Sequence, residues 1–259
     1  MTTPKVLVLD IETSPNIAAV FGLKNQFVGL NQILTPSRVF SFAAKWRGQD
    51  DSEMVFYRGD TEPRRKRMVK AAWDLLDEAD AVAHYNGQRF DVPKLRGEAV
   101  AYGLSPWRPF RQVDLWNTAK RFGYVSSKLD HVLDRLNLDR KLSNEGMALW
   151  LSCMGYGPQD REEAWTDMEA YNRQDVSATD ALLTAVAPWM NDLPNAGLYD
   201  DGDAVLPKCD ACGGHVMRSG TYQTKLGEYP AYRCKAKTCR RWLRSKRAIR
   251  MSDLRSVPS

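Results

Sequence analysis

Along the first 190 residues the apolar positions switch between two periods. Lys5-Val6-Leu7-Val8-Leu9 is an apolar run behind one lysine, the pattern of a buried strand, and Arg38–Trp46 and Glu53–Tyr57, rich in Val, Phe and other aromatics, predict two more strands. Three early strands suggest an initial meander. The 14–37 stretch between the first two is long for a compact connection and suggests a flap over a site. From Glu62 to Ala79 the residues Met68, Ala71, Ala72, Leu75, Leu76 and Ala79 recur at helical spacing behind the helix start Glu62-Pro63, predicting an amphipathic helix. Ala81–Tyr85 then reads as a short strand, Val92–Tyr102 as a helix, Gln112–Leu115 as a brief strand, and Ser126–Leu138 and Asn144–Met154 as further helices. A long helical pattern over 161–190 ends near Pro188. Strands first and mixed strand and helix afterwards predict an α/β domain over 1–190. Residues 191–205, rich in Asn, Asp, Gly and Pro, read as a linker, and 206–259 as a separate small module.

Composition narrows the class. With 43% apolar and 27% charged residues, 259 residues suit one full-sized domain plus an appendage. No run approaches the roughly 18 to 20 apolar residues of a membrane helix, and Met1–Lys5 lacks the start of a secretory signal, so no membrane partner is expected. Five cysteines in so long a chain argue against a disulfide scaffold and for a reducing, cytoplasmic setting. The net charge of +5 is unevenly spread: residues 1–200 hold 24 Lys/Arg against 27 Asp/Glu, and residues 201–259 hold 13 against 5. A basic module on a mildly acidic body suggests a polyanionic partner such as nucleic acid.

Three acidic elements carry candidate chemistry. In Asp10-Ile11-Glu12, at the end of the first strand, residues two apart share a face, so the two carboxylates lie side by side while Ile11 points to the core. Such a pair repels unless a cation sits between its members. Asn86-Gly87-Gln88-Arg89-Phe90-Asp91 follows a strand and precedes a helix, where Asp91, taken by itself, reads as a helix cap. In Tyr171-Asn172-Arg173-Gln174-Asp175 the spacing of four puts Tyr171 and Asp175 one turn apart on one helix face. Asp114 reads as a cap, Arg64-Arg65-Lys66-Arg67 as a solvated helix start, and His84 as a lesser candidate for substrate contact.

Taken together and in this order, the three elements resemble the motifs of the DEDD exonucleases of the RNase H-like superfamily, with Asp10 and Glu12 as the first, Asn86 through Asp91 as the second and Tyr171 through Asp175 as the third. The likeness spans residues 6–185 and is nearest to the DEDDy, DnaQ-like branch, because the histidine of the DEDDh branch would fall on Ala170. It implies an RNase H-like mixed sheet flanked by helices and a 3′–5′ exonuclease. Phosphodiester hydrolysis needs an activated water and stabilised charge on the phosphate and the leaving oxygen, which two divalent ions supply. Carboxylates, as hard oxygen donors, select Mg²⁺ or Mn²⁺. By the resemblance, Asp10 bridges both ions, Glu12 and Asp175 complete the first, Asp91 holds the second largely through water, and Tyr171 orients the attacking water. Asn86 and Phe90 would contact the terminal nucleotide, with a core role open for Phe90.

Cys209-Asp210-Ala211-Cys212 and Cys234-Lys235-Ala236-Lys237-Thr238-Cys239 form two close-spaced couples, the spacing of a tetrahedral structural Zn²⁺ site, with Gly213-Gly214 supplying a tight turn. The segment 206–244 resembles a zinc ribbon; disulfide pairing is the alternative. Arg240, Arg241, Trp242 and Arg244, just past the last cysteine, offer phosphate contacts and a stacking ring. The expectation is therefore a metal-dependent 3′–5′ exonuclease, with DNA preferred over RNA as substrate and a replication or repair protein as the partner of any editing role. A structure-selective endonuclease on the same fold and a non-catalytic nucleic-acid-binding scaffold are the alternatives.

Overall fold

The computed structural model describes residues 3–22, 24, 27–139, 146–199 and 207–253. The expected linker end at 200–205, the tail from 254, and the helix start at Asn144 and Glu145 lie outside these residues. The chain divides into a compact unit over Lys5–Thr184 and a second holding the residues from Ala185 onward.

The first unit runs β1 (Val6–Thr13), β2 (Ile17–Ala18), β3 (Ile33–Thr35), β4 (Val39–Trp46), β5 (Val55–Arg58), α1 (Glu62–Glu78), β6 (Ala81–His84), α2 (Asp91–Ala101), β7 (Arg111–Asp114), α3 (Leu115–Lys120), α4 (Leu129–Arg135), α5 (Met147–Cys153) and α6 (Arg161–Val186). Its main sheet has the order β5-β4-β1-β6-β7. The β1, β4 and β5 pairings are antiparallel, the expected meander, while β6 and β7 add in parallel to β1. Parallel addition follows from chemistry of connection: each of these strands is reached through a helix rather than a tight turn. The result is a mixed α/β sheet flanked by helices. Within the suspected flap, β2 and β3 form a two-stranded ribbon.

Period-two alternation along β1 divides the core. Leu7, Leu9 and Ile11 join Phe42, Ala44, Met68, Leu76 and Leu95 in one buried cluster beneath α1 and α2. On the opposite side Phe40 packs with Leu149, Cys153, Trp165, Met168 and Tyr171 of α5 and α6. Phe40 reaches that second layer through a bulge, since Glu12 lies opposite Ser41 but Thr13 opposite Val39, leaving Phe40 without a partner on β1. A bulge adds one residue and re-aims the next side chain. The Phe40 ring meets Trp165 edge-on with centroids 5.1 Å apart, a contact worth about 0.5–1.5 kcal/mol beyond its buried area.

Two helices are shorter than their sequence pattern. Only Leu129–Arg135 of the expected 126–138 helix is helical, and the chain leaves it through Asn137 at φ 52°. The long pattern over 161–190 ends its α-helix at Val186 and continues as a single 3-10 turn over Ala187–Trp189, where Pro188 lacks the N–H to continue the ladder. Among the described residues no helix is long and apolar enough to cross a membrane.

In the second unit β8 (Val216–Gln223), β9 (Gly227–Cys234), β10 (Trp242–Arg244) and β11 (Arg250–Met251) form an antiparallel sheet around the central β9. One of its faces packs Val216, Tyr232 and Leu243 against Cys209, Cys234 and Cys239. This is too small an apolar core to hold a fold of this size by itself.

Candidate active site

β1 and α6 bring the acids together. Asp10, Glu12 and Asp175 each offer a carboxylate oxygen, and these oxygens all lie within 4.8 Å of one another. Asp10 and Glu12 are half-buried on β1, and Asp175 is buried on α6. Hard anionic oxygens so crowded repel one another, and a divalent cation removes that cost. The donor set therefore fits Mg²⁺ or Mn²⁺.

Asp91 stands outside that triad but touches its strand. At the start of α2 it is buried, and its Oδ1 accepts from the Ile11 backbone N–H at 3.1 Å, between the two acids of β1. Burial pushes the Asp91 carboxyl up to about 7, with Asp114 and Asp175 adding to the push and the Ile11 N–H opposing it. The turn that delivers Asp91 is tight. Asn86 sits at φ 63°, and a Cβ on Gly87 would lie 2.5 Å from the His84 ring and 2.8 Å from Asp91 Oδ2, so only glycine fits there.

Asp114 does more than cap α3. Its Oδ1 accepts from Trp116 N at 3.1 Å, the expected cap, and also from Asn86 N at 2.8 Å, while Oδ2 accepts from Gln88 N at 3.3 Å. The end of β7 thus fixes the turn that aims Asp91. His84 is fully buried behind this turn, where desolvation lowers its pKa against the pull of Asp114, so it has no access to a substrate. Phe90 is exposed with its ring beside Lys94, which excludes the core role.

Tyr171 lies on α6 one turn before Asp175, nearly buried, with the Trp150 ring edge-on at 5.6 Å. Trp150 and Met147 line a cleft of about 430 Å³ together with Thr13 and Ser14, the residues that follow Glu12. Arg64 pairs with Asp60 at the exposed helix start that the sequence suggests, but Arg65, paired with Glu62, is largely covered and also donates to the Val39 carbonyl.

One pair of residues escaped the sequence motifs. Asn172 Nδ2 donates to Asp10 Oδ2 at 2.6 Å, and Asn172 Oδ1 accepts from Ser41 Oγ at 3.0 Å, with Asn172 and Ser41 both fully buried. The hydrogen bonds hold Asp10 from behind. A signal was present, because Asn172 and Asp175 are three apart and so share a helix face.

In the C-terminal unit the four expected cysteines converge, with their sulfurs within 4.8 Å of one another. Cys209 and Cys239 sulfurs are 3.7 Å apart and those of Cys212 and Cys234 are 3.6 Å apart, and all five cysteines are free. A tetrahedron with metal–sulfur bonds of about 2.3 Å has edges of about 3.8 Å, so the cluster fits one Zn²⁺. Burial raises the Cys209 thiol and pushes Cys212 up to about 11, a cost that a bound cation offsets. Arg241, expected among the nucleic-acid contacts, is turned inward instead. It pairs with Asp210 at 2.9 Å and donates to the carbonyls of Ala187 and Met190. Arg240, Trp242 and Arg244 remain exposed.

A family model described as RNase H superfamily matches residues 29–187, well over half the chain. No curated protein sequence matches. Among solved structures, the chain is similar to the family B DNA polymerase from the hyperthermophilic archaeon Pyrobaculum calidifontis, with a TM-score of 0.52 and 19% identity over 73% of this chain and 25% of the polymerase. The chain thus spans about a quarter of that polymerase's length, and the likeness is one of fold.

Proposed function

The chain belongs to the RNase H superfamily, and from that premise we propose that it is a metal-dependent 3′–5′ exonuclease of the DEDDy type, acting on DNA, with a zinc ribbon as its C-terminal module. The observation that carries the reading is the convergence of Asp10, Glu12 and Asp175 within 4.8 Å. Asp10, Glu12 and Asp175, with Asp91, would hold two Mg²⁺ or Mn²⁺ ions. Bound there, such ions acidify a water and neutralise the charge that develops on the phosphate and the leaving 3′ oxygen.

The chain's own side chains do the rest. Tyr171 positions the attacking water through its hydroxyl. Asn172 keeps Asp10 in one rotamer. Phe90 offers an exposed ring to the terminal base, a contact tolerant of sequence, and Asn86, in the turn before Asp91, would contact the same nucleotide. The cleft under Trp150 gives the terminal nucleotide a floor next to Glu12. In domain terms the exonuclease would occupy 1–190, the linker 191–205, and the ribbon and basic tail 206–259, with Cys209, Cys212, Cys234 and Cys239 holding structural Zn²⁺.

The test uses 5′-labelled linear single-stranded DNA, the same sequence as RNA, and a circular single strand, each with Mg²⁺ or Mn²⁺. The expected result is a DNA ladder shortening from the 3′ end, with the circle intact. Metal-dependent cutting of the circle replaces the exonuclease with an endonuclease, faster RNA loss changes the substrate, and no cleavage of any of the three overturns the reading.

A further inference from the structure

The face of the C-terminal sheet that points away from the cysteines combines aromatic rings with arginines. Opposed residues on neighbouring strands share a face, and so do residues two apart on one strand. Met217 on β8 and Trp242 on β10 both lie opposite Arg233 on β9, and the three form one row across the sheet. Four residues along β9, roughly 13 Å away, Tyr229 and its partner Tyr222 form a second row. Arg244 lies opposite Ala231, between the two rows. Ring contacts agree with this register, since the Arg233 guanidinium lies 5.5 Å from the Trp242 ring centroid and that of Arg244 lies 4.3 Å from Tyr229.

Most of these side chains are open to solvent, Arg233 and Arg244 among them, and Tyr229 is half-buried. Trp242 is 58% exposed, Tyr222 53% and Met217 51%, an unusual degree for large apolar groups gathered on one face. The opposite side of the same strands buries Val216, Tyr232 and Leu243 against the cysteine cluster, so the exposed rings serve no core. Charge identifies the occupant. Residues 207–253 hold twelve Lys/Arg against the three acids Asp210, Glu228 and Asp253. Two of those acids are engaged by Arg241 and Arg250. Among the described residues neither Arg233 nor Arg244 pairs with a carboxylate.

We propose that this face, built on Trp242, Tyr229, Tyr222, Arg233 and Arg244, binds single-stranded nucleic acid by stacking unpaired bases on its rings while the arginines take the phosphates. A sheet face with aromatics on neighbouring strands accommodates two or three bases in this way. The combination of rings and unpaired cations explains why single strands fit best. A duplex keeps its base faces covered and meets the cations alone, and an acidic peptide meets the cations without filling the rings. The face keeps Trp242 and Arg244 of the contact expected from sequence, adds Tyr222, Tyr229 and Arg233 from the neighbouring strands, and leaves Arg241 outside it.

Because the face shares no residue with the carboxylate site, binding is measurable in the full-length Asp10→Ala protein, whatever becomes of the nuclease reading. Fluorescence anisotropy compares labelled oligo(dT) of about 16 nucleotides, an abasic strand of equal length, a duplex and poly-glutamate. The full-length protein is expected to bind oligo(dT) at least tenfold more tightly than the other three. Trp242→Ala and Tyr229→Ala should each weaken oligo(dT) binding about tenfold, Trp242→Phe should restore most of the loss, and Lys237→Gln should change it little. Arg233→Gln with Arg244→Gln should lower the salt slope by about 1.4. Zinc content and far-UV circular dichroism verify that each variant is folded. Equal affinity for abasic strand, duplex or poly-glutamate overturns the proposal, as do unchanged affinities in the folded Trp242→Ala and Tyr229→Ala proteins.

Discussion

Asn172 is completely buried between a serine hydroxyl and an aspartate, an expensive place for an amide unless both of its ends are bonded, as they are here. Its role is to position Asp10. Asn172→Ala removes a donor at 2.6 Å from the carboxylate, and partners behind metal-binding groups typically account for 10- to 100-fold in metal affinity or activity. We expect the cleavage rate to fall by about that factor, with the half-saturating Mn²⁺ concentration raised; a rate and Mn²⁺ dependence matching the native protein would contradict it. Gly87 makes a steric counterpart. Gly87→Ala drives a methyl into His84, which is fully buried and has nowhere to go, and into Asp91. Overpacking of this kind costs about 1–3 kcal/mol, so thermal melting should show a clear drop in Tm together with weakened cleavage. Strand parity put Asp10 and Glu12 on one face and the one-turn spacing put Tyr171 and Asp175 on another, but it was the resemblance to the DEDD motifs, not periodicity, that joined the acids into one site. For Asn172 only the shared helix face with Asp175 was visible; its bonds to Asp10 and Ser41, and the threefold work of Asp114, were not, since those partners lie at separations that no periodicity encodes.

At the level of elements, the strands were more legible than the helix ends. The Arg38–Trp46 and Glu53–Tyr57 patterns correspond to β4 and β5 within two residues, because runs rich in Val and aromatic residues between polar breaks mark strands. The bulge at Phe40 was silent in sequence: it depends on how β4 registers against β1, and it is what turns Phe40 toward α5 and α6. The 126–138 helix came out shorter because Asn137, at φ 52°, leaves the right-handed helical region and ends it before Leu138, while its first turn begins only at Leu129, after Ser126-Ser127-Lys128. The cysteine sheet makes a prediction at this scale. Its apolar core is a handful of side chains, so metal binding should supply most of its folding free energy. Elemental analysis should find one zinc per chain, and Cys212→Ser should make residues after Ala185 the first cut in limited proteolysis while Lys5–Thr184 stays intact. A metal-free native protein with an equally resistant C-terminal unit would show that the sulfurs serve another purpose.

Across the whole molecule, chemistry and charge are segregated. The carboxylates sit in the unit over Lys5–Thr184, and the surplus of Lys/Arg sits in the last 59 residues, 13 against 5 acids. The sequence displayed this division plainly, through composition and cysteine spacing. It did not display the exposed ring-bearing face, because that emerges only when three strands are set in register. The central claim remains that the β1 and α6 carboxylates work by holding divalent ions. Its most direct test is the initial rate of single-stranded DNA hydrolysis against Mn²⁺ concentration, for the native protein and for Asp10→Ala with its zinc content verified. The account predicts no hydrolysis without added divalent ion, a saturable rise in the native protein, and a loss of at least a thousandfold, about 4 kcal/mol, in Asp10→Ala. Metal-independent hydrolysis, or an Asp10→Ala protein that still responds to Mn²⁺ at near-native rates, would contradict it.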